Sequence, residues 1–151
     1  ISNPGHNYKY TEFTKEQIKS VLKISKYLIK KYKIKSNFIL GHSDISPDRK
    51  IDPGEKFPWK YISKKKVGYW HNVNEKKLSQ ARNQNINKND INSFFQNLYK
   101  IGYSKNFNKK DNFFLKKLTT AFQRRFRQKL VNGIVDEECL IISTNLAKKF
   151  I

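Results

Sequence analysis

Three apolar stripes at helical spacing fall within residues 87–151, and a lone helix of such length is marginal in water. Asn87 and Asp90 predict a cap for a helix carrying Ile91, Phe94, Phe95, Leu98 and Tyr99 and ending at Gly102. A second helix carries Phe114, Leu115, Leu118, Ala121, Phe122 and Phe126. After a turn at Asn132-Gly133, Asp136 caps a third helix through Cys139, Ile142, Leu146 and Phe150. Such stripes bury only against one another, so this region is expected to form a small all-α three-helix bundle. Cys139 lies on the third stripe and reads as a core residue. As the single cysteine it leaves no intramolecular disulfide.

Upstream the pattern changes. Thr14 with Gln17 fits a capping box, and Ile18, Val21, Leu22, Leu28, Ile29 and Tyr32 recur at helical spacing, predicting an amphipathic helix over 15–33. Lys19, Lys23, Lys26 and Lys30 fall on its other face, as on a solvated surface. "FILG" at 38–41 is a short continuous apolar run of the kind buried on both faces of a sheet. "ISNPGH" at 1–6 reads as the tail of a neighbouring strand turning at Pro4 and Gly5. The expected fold class is α/β: a mixed-sheet unit over 1–74, a polar linker over 75–86 and the helical unit over 87–151.

Lys and Arg number 32 against 12 Asp and Glu, a net charge of +20. A field that strong favours polyanions such as nucleic acid, acidic lipid or an anionic cell-wall polymer. Abundant Lys, Asn and Ile are also what an AT-rich coding sequence writes on exposed positions, so charge alone chooses no partner. "RRFRQK" at 124–129 alternates cations with Phe126, as a phosphate-gripping helix does; the plainer reading buries Phe126 and leaves Arg124, Arg125 and Arg127 in water. A non-catalytic basic module binding cell wall or nucleic acid is therefore the alternative function, although no helix-turn-helix, zinc-finger or RNA-reading motif accompanies the charge. No apolar run approaches the roughly 18 to 20 residues that span a bilayer.

The stretch "GHSDISPDRKIDPGEKFPW" at 41–59 has no helical period and is punctuated by Pro47 and Pro53-Gly54. It brings His42, Lys50 and Asp52 close together in the chain. Zinc takes imidazole nitrogen and carboxylate oxygen, and a catalytic site combines three protein ligands with one open position. His42 at a strand end, and Asp52 returned by the Pro-Gly turn, are candidate metal ligands. If 50–52 is extended, Lys50 and Asp52 share a face. An ammonium there weakens metal affinity but stabilises a developing oxyanion, an effect of about 3 kcal/mol for one donor. The plainer reading makes His42 and Asp52 turn and cap residues, and two ligands fall short of three. His6 and His71 read as surface residues.

These nineteen residues resemble the zinc-loop signature of the type 2 N-acetylmuramoyl-L-alanine amidases, in the branch that cleaves anhydromuramoyl peptides and peptidoglycan. The resemblance runs upstream through "NPGH" and "FTKEQI". Downstream, "LTTAFQRRFRQKLVNGIVDEEC" is similar to the three-helix peptidoglycan-binding domain that follows the catalytic domain in some members. It implies that residues 1–74 are the C-terminal part of a mixed-sheet amidase domain, that His42 and Asp52 ligate Zn2+, and that Lys50 steadies the oxyanion. The implied reaction is zinc-dependent hydrolysis of the amide between N-acetylmuramic or anhydromuramic acid and the L-Ala of stem peptides. It would serve cell-wall turnover or recycling, in the bacterial envelope (periplasm) more than in the cytoplasm, with peptidoglycan or muropeptide as partner and no specific nucleic acid.

The family pattern also holds a further His ligand and an acid/base Glu, and laid on this chain it puts that Glu immediately before Ile1. Glu12, Glu16 and Glu55 are poor substitutes: Glu12 precedes the capping box, Glu16 sits in the first helical turn where carboxylates favour the dipole, and Glu55 follows the Pro-Gly turn. The resemblance therefore leads us to expect the C-terminal portion of a longer enzyme, inactive alone, whose upstream part supplies the missing His and Glu.

Overall fold

Thr14 opens the first helix as the capping box predicts: its hydroxyl accepts the Gln17 N–H at 3.2 Å, and Gln17 Oε1 accepts the Thr14 N–H at 2.9 Å. In the computed structural model, which describes residues 11–103 and 111–150, this helix is α1 (Lys15–Tyr32), ended by Lys33 in the left-handed conformation with φ 52°. Ile18 is its buried anchor, and Val21, Leu22 and Ile29 pack beside it on a first core of Phe57, Trp59, Ile62 and Val67. Leu28 and Tyr32, expected on the same stripe, are 38% and 61% exposed.

Among the described residues every regular element is helical, so the expected mixed sheet is overturned. Ser36–Phe38 forms a 3-10 turn, leaving Phe38 66% exposed, and α2 (His42–Ile45) begins directly after Gly41. The backbone groups that a strand ladder would satisfy are taken by side chains. The Ile39 carbonyl accepts Arg125 Nη2 at 2.9 Å, and the Gly41 N–H donates to Asp44 Oδ2 at 2.9 Å. With both groups occupied, an apolar run that reads as a strand is held as a connector. The neighbouring strand expected at 1–6 lies outside the described residues.

Beyond α3 (Trp59–Lys64), the stretch read as polar linker contains α4 (Glu75–Ala81), capped by Asn74 Oδ1 on the Lys76 N–H at 2.8 Å. Its polar face hid two anchors, Leu78 and Ala81, which are 2% and 4% exposed, Leu78 in the second core. That core is built by α5 (Lys88–Lys100), α6 (Asn112–Phe126) and α7 (Glu137–Ala147), the last continuing as a 3-10 turn Lys148–Phe150. Asn87, Asp111 and Asp136 cap the three helices. Phe94, Leu98, Leu118, Phe122, Cys139, Ile142 and Leu146 are completely buried, so the predicted stripes meet as expected. Burial pushes the Cys139 thiol up to about 12, which keeps it protonated and inert.

The two cores touch. Trp70 packs against both, α6 lies against α2 and α3, and Gln128 Nε2 donates to the Phe57 carbonyl at 2.7 Å. Among the described residues no helix is long and apolar enough to cross a membrane.

Candidate metal centre

Residue 41 must be glycine for reasons of space. A Cβ there would lie 2.7 Å from Pro53 Cδ and 3.3 Å from Trp59 Cζ2, so only a bare backbone lets Pro53 approach. Residues 51–54 form a turn with a cis Asp52–Pro53 bond at its centre and the Gly54 N–H donating to the Ile51 carbonyl at 3.0 Å. Gly54, at φ 79°, completes it. The turn returns the chain beside Gly41, and the Ser43 N–H donates to the Asp52 carbonyl at 3.0 Å.

These backbone contacts bring His42 and Asp52 together. His42 Nδ1 lies 2.6 Å from Asp52 Oδ2, with the two side chains 70% and 38% exposed. An imidazole nitrogen and a carboxylate oxygen, converged and open to solvent, suit zinc in chemistry. Ligands of one tetrahedral zinc sit about 3.3 Å apart. The observed pair is closer, so metal entry requires the two side chains to part slightly. Among the described residues no group of three His, Cys, Asp or Glu stands together, so this pair is an incomplete ligand set there. Lys50 is exposed on the same loop, its N–H donating to the Ser46 carbonyl at 2.9 Å.

The other candidates are engaged elsewhere. Glu12 pairs with Lys56 at 2.8 Å and raises that ammonium's pKa, and Glu55 faces Arg124 Nε at 3.5 Å without hydrogen-bond geometry. Glu16 is exposed in the first turn of α1. His6 lies outside the described residues. His71 is not the expected surface residue but only 8% exposed, its ring tilted against Trp70 at 5.0 Å between centroids. It lines a cavity of about 120 Å³ with Lys60, Glu75 and Lys129. Burial, helped by Lys60, lowers its pKa to about 4.

Sequence reasoning missed Asp44. Its side chain is 2% exposed, and it receives the Gly41 N–H, the Tyr103 hydroxyl at 2.7 Å and Arg125 Nη1. Burial, aided by Asp44, holds the Tyr103 phenol well above its ordinary pKa, so it remains a donor. Burial alone would disfavour the Arg125 charge; the carboxylate of Asp44 reverses this and leaves the pKa raised. A carboxylate two positions after His42 carried no signal of a partner eighty-one residues away.

The arginines of "RRFRQK" are also not in water. Arg124, Arg125 and Arg127 are 8%, 1% and 3% exposed. Arg127 Nη1 pairs with Asp136 at 3.0 Å and approaches Glu138 at 3.8 Å, while Arg82 forks onto Glu138 at 2.7 and 2.6 Å. The charges of Arg125 and Arg127 are spent on buried carboxylates, which both the solvated reading and the phosphate-gripping reading missed.

Residues 1–55 match the family model described as Amidase_2, N-acetylmuramoyl-L-alanine amidase. Over 143 residues the chain is 29% identical to N-acetylmuramoyl-L-alanine amidase AmiD of Escherichia coli K12, a match covering 93% of this chain and 51% of AmiD. It is 47% identical over 53 residues to the 1,6-anhydro-N-acetylmuramyl-L-alanine amidase AmpD of Haemophilus influenzae, covering 34% of this chain and 29% of AmpD. The chain thus spans about half the length of AmiD. Among solved structures, E. coli AmiD in complex with the substrate anhydro-N-acetylmuramic acid-L-Ala-D-γ-Glu-L-Lys superposes with a TM-score of 0.84 at 26% identity, over 99% of this chain and 60% of that one. AmpDh3 of Pseudomonas aeruginosa gives 0.78 at 25% identity, over 93% and 56%. The chain is a homologue of the AmiD and AmpD amidases, and it is within residues 1–55 that it matches the Amidase_2 family model.

Proposed function

We propose that this chain carries one wall of a zinc-dependent amidase site that hydrolyses the bond between N-acetylmuramic or anhydromuramic acid and the L-Ala of peptidoglycan stem peptides. The observation that carries this reading is the convergence of His42 Nδ1 and Asp52 Oδ2 at 2.6 Å, open to solvent, inside the segment that matches the family. His42 and Asp52 are assigned as two zinc ligands and Lys50 as the group facing the developing oxyanion. When bound, zinc supplies Lewis acidity toward the scissile carbonyl and a water of lowered pKa. The chain's own residues do the rest. The Gly41–Pro53 approach fixes the two ligands, and the Lys50 ammonium favours negative charge on the former carbonyl oxygen.

The reading assigns the remaining protein ligand and the acid/base carboxylate to an upstream part of the same enzyme, in keeping with the two-membered ligand set among the described residues and the greater length of AmiD. It makes residues 87–151 a peptidoglycan-binding-like helical unit and places the enzyme in the bacterial envelope. Burial of Arg124, Arg125 and Arg127 removes the support that "RRFRQK" lent to a nucleic-acid module.

Muropeptide cleavage with added zinc tests the assignment. The 151 residues should show no turnover, whereas protein extended to the length of AmiD should cleave and stop on chelation. Turnover by the 151 residues alone contradicts the assignment of the missing groups. In the extended protein, Lys50→Ala should keep its zinc and lose rate roughly a hundredfold; an unchanged rate removes the oxyanion role.

A further inference from the structure

One guanidinium reaches three of the features that surround His42. Arg125, on α6, is 1% exposed; it donates from Nη2 to the Ile39 carbonyl at 2.9 Å and from Nη1 to Asp44 Oδ2. Its plane lies over Trp59, 4.3 Å from the ring centroid, and Trp59 is the ring that confines Gly41. Asp44 passes the constraint on, accepting the Gly41 N–H from one side and the Tyr103 hydroxyl from the other. The Ile39 carbonyl before His42 and the Asp44 side chain after it are therefore both held by residues of the C-terminal half.

A buried ion pair is a weak source of stability, because its desolvation often cancels its attraction. Its value here is geometric. The planar fork of arginine fixes two acceptors at once, which a lysine head cannot do. Groups that orient the ligands of a metal commonly change its affinity or the activity by about 10- to 100-fold when removed.

We infer that Arg125 is a positioning residue for the metal loop: with Asp44 and Tyr103, it makes the C-terminal helical unit set the placement of His42 opposite Asp52. The inference rests on the zinc reading of that pair for its functional meaning, but the placement itself is measurable without metal.

The test uses the whole 151-residue chain and the double variant Asp44→Asn/Arg125→Met, which removes both charges and keeps similar volume. Amide exchange is read at Ser43, whose N–H donates to the Asp52 carbonyl, relative to Ile142 in the distant core of α7. The Ser43-to-Ile142 exchange ratio should rise at least tenfold, and the dissociation constant for Zn2+ alone should rise by about tenfold or more. If the double variant does not fold, Arg125→Lys carries the test: it keeps the charge beside Asp44 but loses the fork, so the ratio should still rise severalfold. An unchanged ratio in a folded variant overturns the inference. If neither wild type nor variant binds Zn2+, the zinc reading fails while the exchange ratio still decides the positioning claim.

Discussion

Asp44, on α2, and Asp52, in the turn at 51–54, lie close in the chain and play opposite parts. Asp44 is 2% exposed in its side chain and saturated by a backbone N–H, a phenol and a guanidinium. Asp52 is 38% exposed and its carboxylate meets the His42 ring. A ligand must keep lone pairs available to an incoming ion, whereas a brace must have none to spare. The segment 41–59 supplies both, so its chemistry and its rigidity fall to different residues.

Removing each carboxylate is the strongest way to break that contrast. Asp44→Ala leaves Arg125 buried and uncompensated, and should lower stability by about 3–5 kcal/mol in urea unfolding. Equal cost for Asp44→Ala and Asp52→Ala would erase the distinction. The two histidines repeat it. His42 is 70% exposed in its side chain, while His71 is held neutral with a pKa of about 4. Because that pKa is depressed by burial, the unfolded chain takes up a proton below about pH 6.5 that the folded chain refuses. Stability should therefore fall as pH drops from about 6.5 to 4, by roughly 3 kcal/mol, and level off below. His71→Gln should flatten this part of a stability-against-pH curve.

Smaller effects sharpen the picture. Gly41→Ala forces Pro53 and Trp59 apart and should cost about 1–3 kcal/mol, read as a lowered melting temperature. Asp52→Ala removes an exposed contact and should change stability by no more than about 0.5 kcal/mol. Its consequence belongs to metal binding.

The helices were legible because they state their own boundaries. Thr14–Gln17, Asn87 and Asp136 cap where the sequence predicts, and the stripes of α5, α6 and α7 meet in one core. The loop was legible as a constellation, and its residues are brought together through the turn at Pro53-Gly54. What failed needed long-range partners. "FILG" has strand composition, but its carbonyl and amide are claimed by Arg125 and Asp44. "RRFRQK" has the composition of a wet helix, but Asp44, Asp136 and Glu138 lie where its guanidinia point. α4 reads as linker because two apolar residues give too short a period to recognise, although both are buried. Local pattern cannot reveal a buried ion pair whose two halves lie on separate elements.

The central claim is that His42 and Asp52 hold one metal ion together. It is tested most directly by titrating Zn2+ into the whole chain while following the ring nitrogens of each histidine by NMR, in wild type and in Asp52→Ala. The account predicts that the His42 resonances move with zinc and that Asp52→Ala weakens this response at least tenfold while leaving the fold intact. A His42 ring that zinc leaves unmoved, or one that binds equally well without Asp52, would contradict it.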